Sequence, residues 1–165
     1  PELMPSVHHD MEVRRAIPRS ALNSEDVMGE EVIVKVRYKK GSFHSKKEEK
    51  VWRASTKLVL NMPPCNSICR LIEVLEDHAA YYVVMEKVTG RDLFETLKAE
   101  GRMPIEEVKE VMRHLLMAVD LFHSSGCIHK DIKLENVMLE RMPSRSGTPG
   151  PALLRSPSTP STCPS

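Results

Sequence analysis

The run Cys127-Ile128-His129-Lys130-Asp131-Ile132-Lys133-Leu134-Glu135-Asn136-Val137-Met138-Leu139 restricts this chain more than any other part of it. It is apolar at both ends and densely polar in the middle. Asp131, Lys133 and Asn136 fall within six residues, with Ile132 and Leu134 interleaved. That pattern suits a tight loop between two short buried strands, its apolar residues pinned inward and its polar tips converging on one pocket. A carboxylate, an amine and an amide at one bend match the needs of phosphoryl transfer. Asp131 would accept a hydroxyl proton, Lys133 would hold a phosphate charge, and Asn136 would offer an oxygen to Mg²⁺. The plain alternative is a charged surface turn.

At 165 residues the chain is long enough for one domain. Its 24 Lys and Arg against 23 Asp and Glu give a net charge of +1, which makes no electrostatic case for a nucleic-acid or membrane partner. No apolar run is long enough for a membrane span. Cys65, Cys69, Cys127 and Cys163 are scattered, and no second pair completes a zinc site. Reduced thiols and a cytoplasmic place are expected. His8-His9 has no partner at metal-ligand spacing and reads as two solvated histidines.

Residues 1–29 read as an irregular segment, in which Val13 to Ile17 has the makings of a strand. Residues 30–39 are dominated by β-branched side chains and predict a strand, with Met28-Gly29-Glu30 able to turn a hairpin before it. Residues 44–60 predict a helix whose partly apolar face is Val51, Trp52, Ser55, Leu58 and Val59. Glu48 and Glu49 fit a solvated charged face. Ile68 to Val74 and Tyr81 to Glu86 are apolar segments around a turn at Asp77-His78. Gly90 permits a bend. Asp92 can cap a helix with Leu93, Phe94 and Leu97 as its apolar residues, and Gly101 stops it.

Residues 104–124 give the strongest helical signal. Pro104 suits the first helical position, and Glu106 and Glu107 suit the first turn. Ile105, Val108, Met112, Leu115, Val119 and Phe122 form a stripe that Leu116 widens. Burying it is worth on the order of 10 kcal/mol. His114 and His123 read as ordinary surface or core histidines. From Arg141 to Ser165 the chain turns rich in Pro, Ser and Thr, has no Asp or Glu, and is expected to be disordered. Ser156-Pro157 and Thr159-Pro160 match the dipeptides that proline-directed kinases modify.

The run at Asp131 closely resembles the H-R-D-x-K-x-x-N catalytic loop of eukaryotic protein kinases, and Val32-Ile33-Val34-Lys35 resembles their V-A-I-K. The resemblance spans residues 30–140 and is nearest to the calcium/calmodulin-dependent group of Ser/Thr kinases. It implies an α+β, bilobal fold: a small β-rich lobe, then the first helices and the catalytic loop of a large helical lobe. It also implies an enzyme using ATP and Mg²⁺ on a protein substrate, and it leaves room for a regulatory protein. In that frame Asp131 and Lys133 are catalytic and Asn136 holds metal. Lys35 meets the α- and β-phosphates, though many exposed strand faces also carry a lysine. Met85 becomes the gatekeeper, the backbone of Glu86 and Val88 grips adenine, and Asp92 reaches the ribose, which its capping role does not prevent.

The departures are specific. No glycine precedes Gly29, so the glycine loop over the phosphates is not recognisable. Ala54, Ser55 or Thr56 stands where the family's helix carries a glutamate for the strand lysine. Lys130 replaces an arginine and loses its bidentate fork, and Leu134 replaces a proline. No D-F-G follows. The expectation is therefore an incomplete Ser/Thr kinase domain, inactive and poorly folded by itself because helix 104–124 lacks the lobe to cover it. The alternative is a non-catalytic, pseudokinase-like binding module.

Overall fold

The structure, a computed structural model, describes residues 2–4, 11–17, 31–141 and 152–155, with side chains for 11–17 and 31–140. His8-His9, the hairpin at Met28-Gly29-Glu30 and the Ser156-Pro157 and Thr159-Pro160 dipeptides lie outside the described residues. Backbone contacts divide the chain into two units, Pro1–Lys50 with Arg70–Lys87, and Val51–Cys69 with Val88–Ser165.

The first unit is built on an antiparallel sheet of β1 (Glu2–Met4), β2 (Met11–Ala16), β3 (Val32–Tyr38), β4 (Leu71–Glu76) and β5 (Ala80–Glu86), in the order β1-β2-β3-β5-β4. β1 and β2 fall in the stretch expected to be irregular, and β2 starts two residues before Val13. Alternation sets the faces. On β5, Tyr81, Val83 and Met85 point one way and are buried, and Val36 of β3 is buried on the other face. The turn between β4 and β5 forms because Asp77 Oδ1 accepts the N–H groups of Ala79 and Ala80, both at 2.8 Å. Those bonds, Ala80 first, hold its carboxyl below the usual range.

Helix α1 (Lys46–Leu60) starts with a reciprocal cap: Ser45 Oγ accepts the Glu48 N–H at 3.1 Å, and Glu48 Oε2 accepts the His44 N–H at 2.7 Å. Glu49 accepts the Tyr81 hydroxyl at 2.5 Å. The charged face expected of these two glutamates is thus corrected. One closes the helix start, and the other satisfies a tyrosine that would be costly to bury alone. The buried face is Trp52, Ser55, Thr56 and Val59, whereas Leu58 is exposed.

In the second unit, α2 (Leu93–Glu100) is capped by Asp92, whose Oδ1 accepts the Glu95 N–H at 2.7 Å, and it stops at Gly101, where φ is +77°. Helix α3 (Ile105–Ser124) begins after Pro104, which with ψ 143° is the cap and not the first helical residue. Its carbonyl accepts the first helical bond, from Val108 N–H at 3.0 Å. The buried face is Val111, His114, Ala118 and Phe122. Of the expected stripe only Phe122 is on it; Ile105 is 65% and Leu116 61% exposed. Leu93, Val111, Val137 and Leu139 make the core, flanked by Leu97, Met103 and Leu115. Beside it lies a small antiparallel sheet, β6 (Arg91–Asp92), β7 (Met138–Arg141) and β8 (Ala152–Arg155), in which β8 pairs with β7. Four residues of the tail expected to be disordered are therefore a strand. Their Ala-Leu-Leu-Arg composition suits a ladder that the surrounding Pro, Ser and Thr would not.

On α3, Arg113 bonds Glu110 and holds its carboxyl down, from 4.5 to about 2. A depressed carboxyl stabilises the fold above its ordinary value, and that gain is lost as pH falls toward the folded value. In denaturant series between pH 4.5 and 2, Glu110→Gln is expected to lose stability less steeply than the parent chain.

Candidate active site

The loop between α3 and β7 is held from inside by a histidine. Residues alternate inward and outward as the chain leaves α3, so Cys127 and His129 are buried while Ile128 is exposed. The His129 ring packs edge-on against Phe122, with centroids 5.6 Å apart. Its Nδ1 accepts the Asp131 N–H at 3.3 Å. Further along, Leu134–Asn136 form a single 3₁₀ turn, and Val137 and Leu139 re-enter the core. Ile132 and Leu134, expected to be pinned inward, are 48% and 42% exposed. The anchoring residues are Cys127, His129, Val137 and Leu139. Upstream, the expected strand shrinks to a single bridging residue, Ile128.

This frame brings the three polar side chains together. Asn136 Nδ2 donates to the Asp131 main-chain oxygen at 2.9 Å and to Asp131 Oδ2 at 2.8 Å. Lys133 Nζ lies 3.2 Å from Asp131 Oδ1. The carboxylate therefore has an amide donor on one oxygen and a cation beside the other, and remains accessible to an incoming hydroxyl. Between His129 and Asp131 sits Lys130, at φ +61°. An L-residue pays about 1–2 kcal/mol for that conformation. Lys130→Gly is expected to raise stability by about 0.5–1 kcal/mol, after glycine's own entropy, read as a higher urea midpoint.

The described residues do not by themselves make a magnesium site. Among them no three His, Cys, Asp or Glu side chains gather. The Asp131 carboxylate is already matched by Lys133 and Asn136, which leaves Asn136 Oδ1 as a lone amide oxygen.

The remaining candidates sit apart from this loop in sequence. Lys35 lies mid-strand in β3, opposite Val13 and Val83, in the first unit. Glu86 ends β5. Its N–H donates to Arg70 O at 3.1 Å and its Oε1 accepts the Arg70 N–H at 2.8 Å. Val88 begins the longer segment of the second unit, and Asp92 caps α2. What the sequence reading missed is His129 as the residue fixing Asp131. The in-out alternation of residues 127–129 would have shown it.

A family model described as protein kinase domain matches residues 21–145. The chain is 35% identical over 122 residues to CBL-interacting protein kinase 31 of Oryza sativa subsp. japonica, covering 74% of this chain and 26% of that protein. It is likewise 35% identical over 123 residues to CBL-interacting serine/threonine-protein kinase 26 of Arabidopsis thaliana, covering 74% and 27%. The chain thus spans about a quarter of the length of these curated relatives. Among solved structures, the crystal structure of Rad53 1-466 in complex with AMP-PNP is similar with a TM-score of 0.71 and 25% identity, over 95% of this chain and 37% of that one.

Proposed function

The chain belongs to the protein kinase domain family, and from that premise we propose that it is part of a Ser/Thr protein kinase that moves the γ-phosphoryl group of ATP onto a protein hydroxyl. The observation that carries this reading is the closure of Asn136 and Lys133 on Asp131. Asp131 orients the attacking hydroxyl and takes its proton as the oxygen bonds to the γ-phosphorus and the bond from that phosphorus to the β,γ-bridging oxygen breaks, releasing ADP. Lys133, within reach of the same carboxylate, offsets charge on the transferred group. Asn136 holds the Asp131 backbone and carboxylate in place. Asn136 Oδ1 would be the one oxygen of this loop to offer Mg²⁺, which would supply further charge neutralisation on the phosphates.

Lys35 is assigned to the α- and β-phosphates, and Asp92 to the ribose through the carboxylate oxygen that its capping bond leaves over. Adenine recognition falls more to the peptide groups of Val88 than to Glu86, whose N–H is given to Arg70. The AMP-PNP in the Rad53 complex supports an adenine nucleotide as ligand. The name of the CBL-interacting relatives supports a regulatory protein partner. A cytoplasmic place, with no nucleic-acid or membrane partner, belongs to the same reading. It is supported by the near-zero net charge, and no helix among the described residues is long and apolar enough to cross a membrane.

Calorimetric titration of the 165-residue chain with AMP-PNP, with and without Mg²⁺, tests the reading. Saturable binding that weakens in Lys35→Ala is expected. No binding at millimolar nucleotide would favour the non-catalytic module.

A further inference from the structure

The stretch from Val88 to Asp92 carries two of the nucleotide contacts assigned above, the peptide groups of Val88 and the carboxylate of Asp92, and it lies wholly in the second unit. Between them run Thr89, Gly90 and Arg91. The far end of this stretch is fixed by its backbone. Arg91 and Asp92 pair with Leu139 and Met138 of β7, and the Leu93 N–H donates to Val137 O at 2.8 Å. The ladder begins only at Arg91, after Gly90, whose φ of +130° side chains rarely adopt.

One side chain carries the attachment past the glycine. Thr89 Oγ1 donates to Glu140 Oε1, on β7, at 2.6 Å. A hydroxyl bonded to a carboxylate is charge-assisted and stronger than a neutral pair. Packing does not replace it. Thr89 and Gly90 are exposed, and a cavity of about 250 Å³ is lined by Thr89, Gly90 and Arg91 together with Thr96 and Glu100 of α2 and Leu139. A β-branched threonine has few χ1 choices, so a hydroxyl held in place also holds its own Cα. That Cα belongs to the planar peptide unit that contains the Val88 carbonyl. The angle of the Val88 carbonyl is thus set from a carboxylate 51 residues further along the chain.

We propose that Thr89 is a positioning residue for adenine: its bond to Glu140 holds the Val88 carbonyl at a fixed angle to Asp92, so that base and ribose are met together. This role rests on the reading that Val88 and Asp92 hold the nucleotide. Thr89 acts through the main chain and touches no ligand itself. The plain alternative is an exposed bond of small local stability and nothing more.

Calorimetric titration of the full 165-residue chain with AMP-PNP and Mg²⁺ separates the two. Thr89→Val keeps the shape and removes the hydroxyl, and it is expected to weaken AMP-PNP binding by about three- to tenfold, the net worth of one such bond. Glu140→Ala breaks the same bond from its other end and is expected to cost as much, so the test does not hang on one variant. Thr89→Ser keeps the hydroxyl and is expected to stay within about twofold of the parent. Combining Thr89→Val with Glu140→Ala is expected to bind no more weakly than either alone, because both remove one interaction. Unchanged affinity in Thr89→Val and Glu140→Ala overturns the positioning role. So does a combined loss equal to the product of the two single losses, or Thr89→Ser as weak as Thr89→Val. A parent chain that fails to bind AMP-PNP at all is a different failure: it removes the nucleotide reading, and the role of Thr89 with it.

Discussion

Replacing Asp131 with alanine is expected to lower turnover by about 10²–10⁴-fold when residues 1–140 are joined to the remaining kinase-domain part of a CBL-interacting relative. Nucleotide affinity changes little. The two effects separate because of what the carboxylate touches. Its Oδ1 faces Lys133 and its Oδ2 faces Asn136, and neither contact is needed to hold the loop backbone. That backbone is kept by Asn136 on the main-chain oxygen of residue 131 and by His129 on its N–H. The alanine variant therefore keeps the bend and loses only the proton acceptor. Asp131→Asn is the matching control, since it retains an oxygen for Asn136 but no longer accepts a proton at neutral pH. Equal loss in the two variants, with nucleotide affinity preserved, is the expected pattern. Unchanged turnover in either would remove Asp131 from the chemistry.

Local chemistry was legible in the residues. The Asp77 turn, the Asp92 cap and the Gly101 stop are each set within a few positions, so sequence reports them directly. The convergence of Asp131, Lys133 and Asn136 was legible for the same reason, because all three sit on one short bend. Helix α3 shows where such reading runs out. Its period marks a helix, but its apolar residues cover more than one face, and the buried face includes His114 and the small Ala118 in place of Met112 and Leu116. Hydrophobicity alone could not choose between those faces. A buried histidine bonded to a serine 47 positions away counts as polar in any periodicity argument. The same limit explains Glu49, whose partner Tyr81 lies on another element, and β8, whose pairing with β7 is hidden in a Pro/Ser/Thr-rich tail.

Gly90→Ala is expected to cost about 2–6 kcal/mol in urea unfolding of the 165-residue chain, combining backbone strain of ~1–3 kcal/mol with overpacking of ~1–3 kcal/mol. Gly90 holds φ +130°, which side chains rarely adopt, and a Cβ built there would lie 2.0 Å from the Leu139 carbonyl oxygen. That oxygen cannot give way cheaply. Leu139 is buried in the core with Leu93, Val111 and Val137, and it pairs with Arg91 in the β6–β7 ladder. Relief would have to move β7, whose preceding residues Val137 and Asn136 close the loop on Asp131. Gly101→Ala provides the contrast. Its φ is +77°, but a Cβ there meets nothing within 4 Å, so only the backbone-strain term of ~1–3 kcal/mol remains. A clear gap between the two variants would place the close approach of Gly90 to β7 among the constraints that position the Asp131 loop. Equal losses would show that β7 shifts freely and that the loop's geometry is set elsewhere.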